Sequence, residues 1–315
     1  MNIPKGEWFL RFTRYVSLLL KPLAILVLVS VPVLIFFSRA PVLLVTDAAF
    51  NELYGGRRIL IRSIEIQARL FRRVKQVIIG DEASSDLVSI AVSSASQGKP
   101  PFCVLFPSRY AEGAELFSAQ NPQTVVVVVG GTVAAEKSGA AAEAGIVSIL
   151  TDTETDLFRA GLCAAILGKA SNGGQDRVAV LQKTPLSQAE RASLSAGLKE
   201  GGFANVQYIM ANSNLYDTEF AVIIMLGSSN SLLDQHLKMP VVLFSWIDPA
   251  FTASSVKVIF DDSLWAQAAD AVKMAKTRQG GLISSKVIVS AQSGMGKETE
   301  RELKEAVRSS LQKKL

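Results

Sequence analysis

Asp47, Phe50 and Asn51 follow the apolar run Val42 to Thr46 and precede a stretch of helical character. A carboxylate accepts N–H and O–H donors, an amide both donates and accepts, and a phenyl ring stacks on a flat face. Together they suit a planar polar molecule that carries hydroxyls. The same inventory recurs after later apolar runs, as Ser108 and Tyr110, Tyr216, Ser228 and Asn230, Trp246 and Asp248, and Asp261. A local reading stands beside this one: Asn51 caps the following helix and Phe50 is its hydrophobic staple. That reading leaves Asp47 unexplained.

Groups for covalent or acid–base chemistry are not assembled. The single histidine, His236, lies in the polar helical stretch LLDQHLKMP, and the cysteines sit in the apolar contexts PFCVLF and AGLCAAIL. One histidine and two dispersed cysteines do not make a tetrahedral zinc site. Cys103 and Cys163 are expected as buried thiols, with a single disulfide as the alternative in an oxidising compartment. The stretch SGMGKE, from Ser293, lacks the first glycine and the terminal Ser or Thr of a phosphate loop and reads as a turn. Gly130-Gly131-Thr132 follows a valine strand without a G-x-G-x-x-G and reads the same way. The expectation is a binding protein with no cofactor and no metal, not an enzyme.

The elements that must position these residues are short apolar strands separated by amphipathic stretches. Strands are expected at 42–46, 74–80, 102–106, 124–130, 146–150, 177–181, 206–210, 220–226, 241–246 and 256–260. Helices are expected at 52–73, 85–97, 111–119, 154–169, 187–200, 264–276 and 297–314. Continuous Val/Ile/Leu runs suit parallel sheets covered on both faces, and regular alternation with helices gives a doubly wound α/β architecture. Ten strands exceed one comfortable sheet, so two lobes are expected: 41–150 with a return segment at about 247–280, and 151–246. A strand and a charged helix complete the chain over 281–315. Ligands of open α/β sheets bind beyond the carboxyl ends of the strands, which places the nominated residues in a cleft between the lobes.

Residues 1–40 have a different character. Pro22 to Phe37 is uncharged and apolar, preceded by Lys5, Arg11, Arg14 and Lys21 and followed by Arg39. This is an export signal or a membrane anchor; Pro41 beside the small-residue triplet 38–40 favours the uncleaved anchor. The positive flank puts the N-terminus in the cytoplasm and the remaining chain outside the membrane. Of the formal net charge of +5, four charges lie before Pro41, so the alkaline balance describes this segment and not a nucleic-acid surface. Arg58, Arg62, Arg69, Arg72 and Arg73 recur near helical spacing as a solvated face, or as one resting on anionic lipid or a partner.

In its order of motifs the chain resembles the basic membrane protein family of bacterial substrate-binding proteins. Thr46-Asp47-Ala48-Ala49-Phe50-Asn51 is similar to that family's Thr-Asp followed by Ser-Phe-Asn. Phe106 to Glu112 and Gln120 to Thr124 resemble its Gly-Phe-x-Phe-Ala-Asp and Asn-Pro-Asp-Thr stretches. Glu154 to Ala165 looks like its acidic run, aromatic residue and Ala-Gly-x-x-Ala-Ala helix, and 176–180 and 196–201 continue the match in order. The resemblance implies a type I periplasmic-binding fold and an extracytoplasmic receptor of an ABC uptake system that closes on a small ligand, a purine nucleoside by analogy. It further implies that Phe50 and Tyr216 stack on the base, Asn51 and Asp47 meet its polar edge, and Asp248 takes the ribose hydroxyls. The implied partners are the ligand, an ABC permease and the membrane through the N-terminal segment. The alternative is a degenerate binding fold that serves as a membrane-tethered structural or regulatory partner without a small ligand.

Overall fold

A computed structural model describes residues 28, 30–47, 63–80, 82–96, 100–131, 146–171, 177–182, 185–210, 220–226, 239–244, 254–261, 264–278, 280–289 and 294–312. Among the described residues twelve strands form two six-stranded sheets. The first contains β1 (Val42–Asp47), β2 (Val74–Ile79), β3 (Cys103–Pro107), β4 (Val125–Gly131), β5 (Ile146–Thr151) and β11 (Gly281–Ile283), in the order 11-5-4-3-1-2. Every pairing in it is parallel. The second contains β6 (Arg177–Gln182), β7 (Asn205–Met210), β8 (Val222–Leu226), β9 (Val241–Phe244), β10 (Val256–Asp261) and β12 (Lys286–Val289), in the order 12-10-9-8-6-7. Only β12 runs antiparallel there, against β10. The two sheets repeat one order, with the switch between β1 and β3 in the first and between β6 and β8 in the second.

The apolar runs behave as two-sided strands must. Along β1, Leu43 and Val45 enter the core beneath α1 (Ser85–Ala95) and α2 (Ala111–Gln120), while Val42 and Leu44 enter the opposite core beneath helical residues 63–70 and α5 (Leu264–Thr277). In the second sheet Val178, Val180, Val222 and Ile224 face α3 (Thr153–Ala170) and α4 (Gln188–Glu200), while Ala179, Leu181, Ile223 and Met225 face the other way. A strand that buries both faces carries apolar residues at every position. The charged C-terminal helix α6 (Lys297–Gln312) seats Leu303 in the same core as α3.

Helices α3 and α4 cross backbone to backbone. A Cβ built on Gly161 would meet Leu194 O at 2.5 Å, and one on Gly197 would meet Phe158 O at 2.0 Å. The small-residue spacing of both helices is thus a condition of their approach. Asp152 caps α3 by accepting from Thr155 N at 3.3 Å, and Ser187 and Glu190 form a reciprocal capping box on α4.

Two differences from the sequence reading concern connectivity. Val256–Asp261, expected within the return to the first lobe, pairs with β9 in the second sheet, and the chain goes back only after Asp261, through α5. Both assignments bury the same apolar run, so only its partners distinguish them. The single strand expected after residue 280 is two: β11 extends the first sheet and β12 the second. As expected, Cys103 and Cys163 are buried free thiols; they lie in the cores of different sheets, so the alternative of a disulfide between them is not met. Of the expected N-terminal helix, Leu28 and residues 30–38 are described as helical, and no helix among the described residues is long and apolar enough to cross a membrane.

Candidate functional site

In the order of the described elements the chain changes sheets at three places: at Asp152 between β5 and α3, after Asp261 at the end of β10, and at Ser284-Ser285 between β11 and β12. All begin at carboxyl ends, of β5, β10 and β11, and β12 starts with Lys286 paired to Asp261. Connections this short oblige the carboxyl edges of both sheets to adjoin one another. The edge of the first sheet holds Thr46, Asp47, Ser108, Arg109 and Gly130; that of the second holds Gln182 and Asp261.

The crossings are fastened to each other. Asp152 N donates to Ile283 O at 2.9 Å, and Gln267 Nε2, on α5, donates to Thr151 Oγ1 at 3.4 Å. Ser285 N donates to Asp156 Oδ2 at 2.8 Å, and Arg159 Nη1 reaches Ser285 O at 3.4 Å. Asp156 and Arg159 pair at 3.1 Å with side chains 1% and 2% exposed. Burial pushes the Asp156 carboxyl up, and the hydrogen bond from Ser285 and the charge of Arg159 oppose that rise without cancelling it. On its far side Arg159 lies over the Phe260 ring at 5.8 Å, which stacks on Phe244 at 4.7 Å.

At the switch point between β1 and β3 the buried Asp47 carboxylate, its side chain 7% exposed, is against the Arg109 guanidinium. Buried Thr46 beside it accepts from Gln76 Nε2 at 2.7 Å. Ser108 Oγ donates to Gly130 O at 3.0 Å, bridging β3 to β4 where Gly130 turns with φ 87°. Ser108 to Tyr110 form a single 3-10 turn because Pro107 holds extended backbone and ends β3. The nominated Asp47 and Ser108 therefore share one edge. Tyr110 differs from its expected role: its ring is 7% exposed in the core with Phe106 and Phe117, so it offers no open stacking face. Its hydroxyl is buried without a hydrogen-bond partner among the described residues. Asp261, 3% exposed, ends β10 on the second sheet. Phe50, Asn51, Tyr216, Ser228, Asn230, Trp246 and Asp248 lie outside the described residues, as does His236.

Residue types alone did not nominate Arg109 or the Asp156–Arg159–Ser285 cluster. Arg109 stood between two nominated residues, and a charge pair at i and i+3 within the apolar face of α3 was the available signal for the cluster. Among the described residues no cluster of His, Cys, Asp and Glu could hold a metal ion.

Neither protein-family models nor curated protein sequences match the chain. Solved structures do. An ABC transporter solute-binding protein from Conexibacter woesei superposes with a TM-score of 0.61 at 12% identity, over 88% of this chain and 98% of that one. A transcriptional activator of the comK gene from Bacillus halodurans gives 0.58 at 16%, over 88% and 99%. A LacI transcriptional regulator from a Rhodococcus species gives 0.51 at 12%, over 81% and 98%. At these identities the likeness is one of fold: two parallel-dominated α/β sheets that resemble type I periplasmic binding proteins. The likeness shows this fold and not membership of the basic membrane protein family in particular.

Proposed function

We propose that this chain is an extracytoplasmic solute-binding protein, held at the outer face of the cytoplasmic membrane by its N-terminal segment, that closes its lobes on a small polar ligand for an ABC permease. A purine nucleoside is the first ligand to test, on the strength of the motif order that resembles nucleoside receptors. The observation that carries the reading is the pair of like-ordered sheets hinged at three crossings, with buried Asp47 at the switch point of one adjoining edge. Ligand contacts from both edges would favour the closed arrangement over the open one. Phe50 and Tyr216 would stack on the base, Asn51 and Ser108 would meet its polar edge, and Asp47 would accept from its N–H groups. From the second lobe, Asp248, Asp261, Ser228, Asn230 and Trp246 would complete the enclosure.

One observation favours a second reading, a binding fold that acts as a structural or regulatory partner without a small ligand. Asp47 already faces a cation, Arg109, on its own lobe. The two readings separate in a thermal-shift series on the full chain in nanodiscs against nucleosides, bases and sugars. Receptor function predicts that one class raises Tm, since a ligand at a hundredfold excess over Kd adds about 2.7 kcal/mol. It also predicts that Phe50→Ala abolishes the shift. A flat response across the panel selects the partner reading.

A further inference from the structure

Residues 63–71 carry two apolar stripes. Ile66 and Leu70 face the core of the first sheet, whereas Ile64 and Phe71 stay 55% and 39% exposed. The outward stripe abuts helical residues 30–38, and between them runs a groove of about 440 Å³ lined by Pro32, Val33, Phe36, Phe37, Ile64 and Phe71. The apolar surface continues across Val31, Leu34 and Ile35, each more than two-fifths exposed. Phe36 meets Phe71 at 5.8 Å, and Phe71 holds a left-handed φ of 51°, a conformation costly to a bulky L-residue.

Cations edge this surface. Arg39 lies over Phe71 at 5.1 Å and Arg73 over Phe37 at 5.8 Å. Arg72 lies over Phe102 at 3.9 Å while donating to Ala40 O at 3.0 Å. The one carboxylate within residues 30–40 and 63–73, Glu65, lines a separate groove with Arg69 and Asp270. Phenyl rings in contact, guanidinium groups over them and exposed aliphatic side chains beside them are groups that suit a bilayer interface. The chain enters this surface from its own apolar segment, so both would lie at one depth.

We propose that the face made by residues 30–38 and 63–73 rests on anionic phospholipid, with Ile64, Phe71 and the groove against acyl chains and Arg39 and Arg73 at the phosphates. This rests on the tethering part of the proposed function and adds to it. The first lobe does not swing on a leash but lies on the membrane, which fixes where its cleft stands relative to a permease.

The test uses the full chain with one added thiol, Ile64→Cys or Leu28→Cys, carrying an environment-sensitive fluorophore. Cys103 and Cys163 are buried with thiols pushed up to about 12 and remain unlabelled. Nanodiscs of phosphatidylcholine with phosphatidylglycerol carry brominated acyl chains as quencher. Quenching is expected at both positions. At position 64 it should be roughly halved by Arg39→Glu with Arg73→Glu, preserved by Arg39→Lys with Arg73→Lys, and weaker in phosphatidylcholine alone. Quenching at 28 but not at 64 overturns the docked lobe and leaves the tether; quenching at neither overturns both. Equal quenching at 64 in neutral and anionic discs overturns the role of the headgroups. Energy transfer between labelled copies in place of quenching assigns the face to a second copy and overturns the proposal.

Discussion

Ser285 N donates to Asp156 Oδ2 at 2.8 Å across 129 positions of sequence, so the third crossing is fastened to the first turn of the helix that follows the first. The carboxylate that makes this clasp is itself paired to buried Arg159. Any closure of the lobes must bend around this point and not through it, because parting the ions would strand a charge in the core. Arg159→Met is therefore expected to destabilise the fold by about 3–5 kcal/mol in urea unfolding. A double change to apolar residues of similar volume, Asp156→Leu with Arg159→Met, should cost less than the single one.

The same pair gives a pH signature. Asp156 keeps its proton to higher pH in the folded chain than its ordinary value of 3.8. Unfolding in the window between 3.8 and the raised folded value therefore releases a proton, and stability contributed by this group falls as pH rises through that window. Urea midpoints measured across this range should show the slope in the parent and lack it in Asp156→Asn.

Gly197→Ala is expected to lower stability by about 1–3 kcal/mol, since the new methyl would meet Phe158 O at 2.0 Å and only a shift of one helix relieves it. Gly80→Ala, which meets nothing within 4 Å, serves as the comparison and should leave the urea midpoint nearly unchanged.

Both thiols are fully buried and pushed up to about 12 by desolvation, so neither forms thiolate near neutrality. Iodoacetamide should leave the native chain unmodified and add two groups after denaturation, read by intact mass. A mass consistent with a preformed disulfide would contradict the separate cores described for Cys103 and Cys163.

Tyr110→Phe removes a buried hydroxyl that lacks a partner among the described residues. The ring stays in the core, so stability should be unchanged or rise by about 1 kcal/mol. A clear fall in Tm would mean that the hydroxyl is engaged.

The strands were legible because a two-sided strand must be apolar at every position, and Val42–Asp47 or Val222–Leu226 contain little else. The placement of Asp47 and Ser108 at one sheet edge was legible because they stand at the ends of such runs. Sheet membership was not: nothing local in Val256–Asp261 says whether β9 or a strand of the first sheet lies beside it. The Asp156–Ser285 clasp was hidden for the same reason, since sequence patterns report faces of elements and not partners far along the chain. The residue type of Tyr110 suits both a stacking platform and a core. The turn after Pro107 decides between them by burying the ring and leaving Arg109 half-exposed.

The central claim is that the adjoining carboxyl edges hold a small polar ligand with Asp47 among its contacts. Native mass spectrometry of the full chain after gentle extraction, alongside its Asp47→Asn variant, tests it most directly. The prediction is one bound species of nucleoside-like mass on the parent, with affinity about tenfold or more weaker in the variant, as loss of a charge-assisted hydrogen bond requires. A parent that carries no ligand and takes none up from the nucleoside panel, or a variant that binds as tightly as the parent, would contradict it.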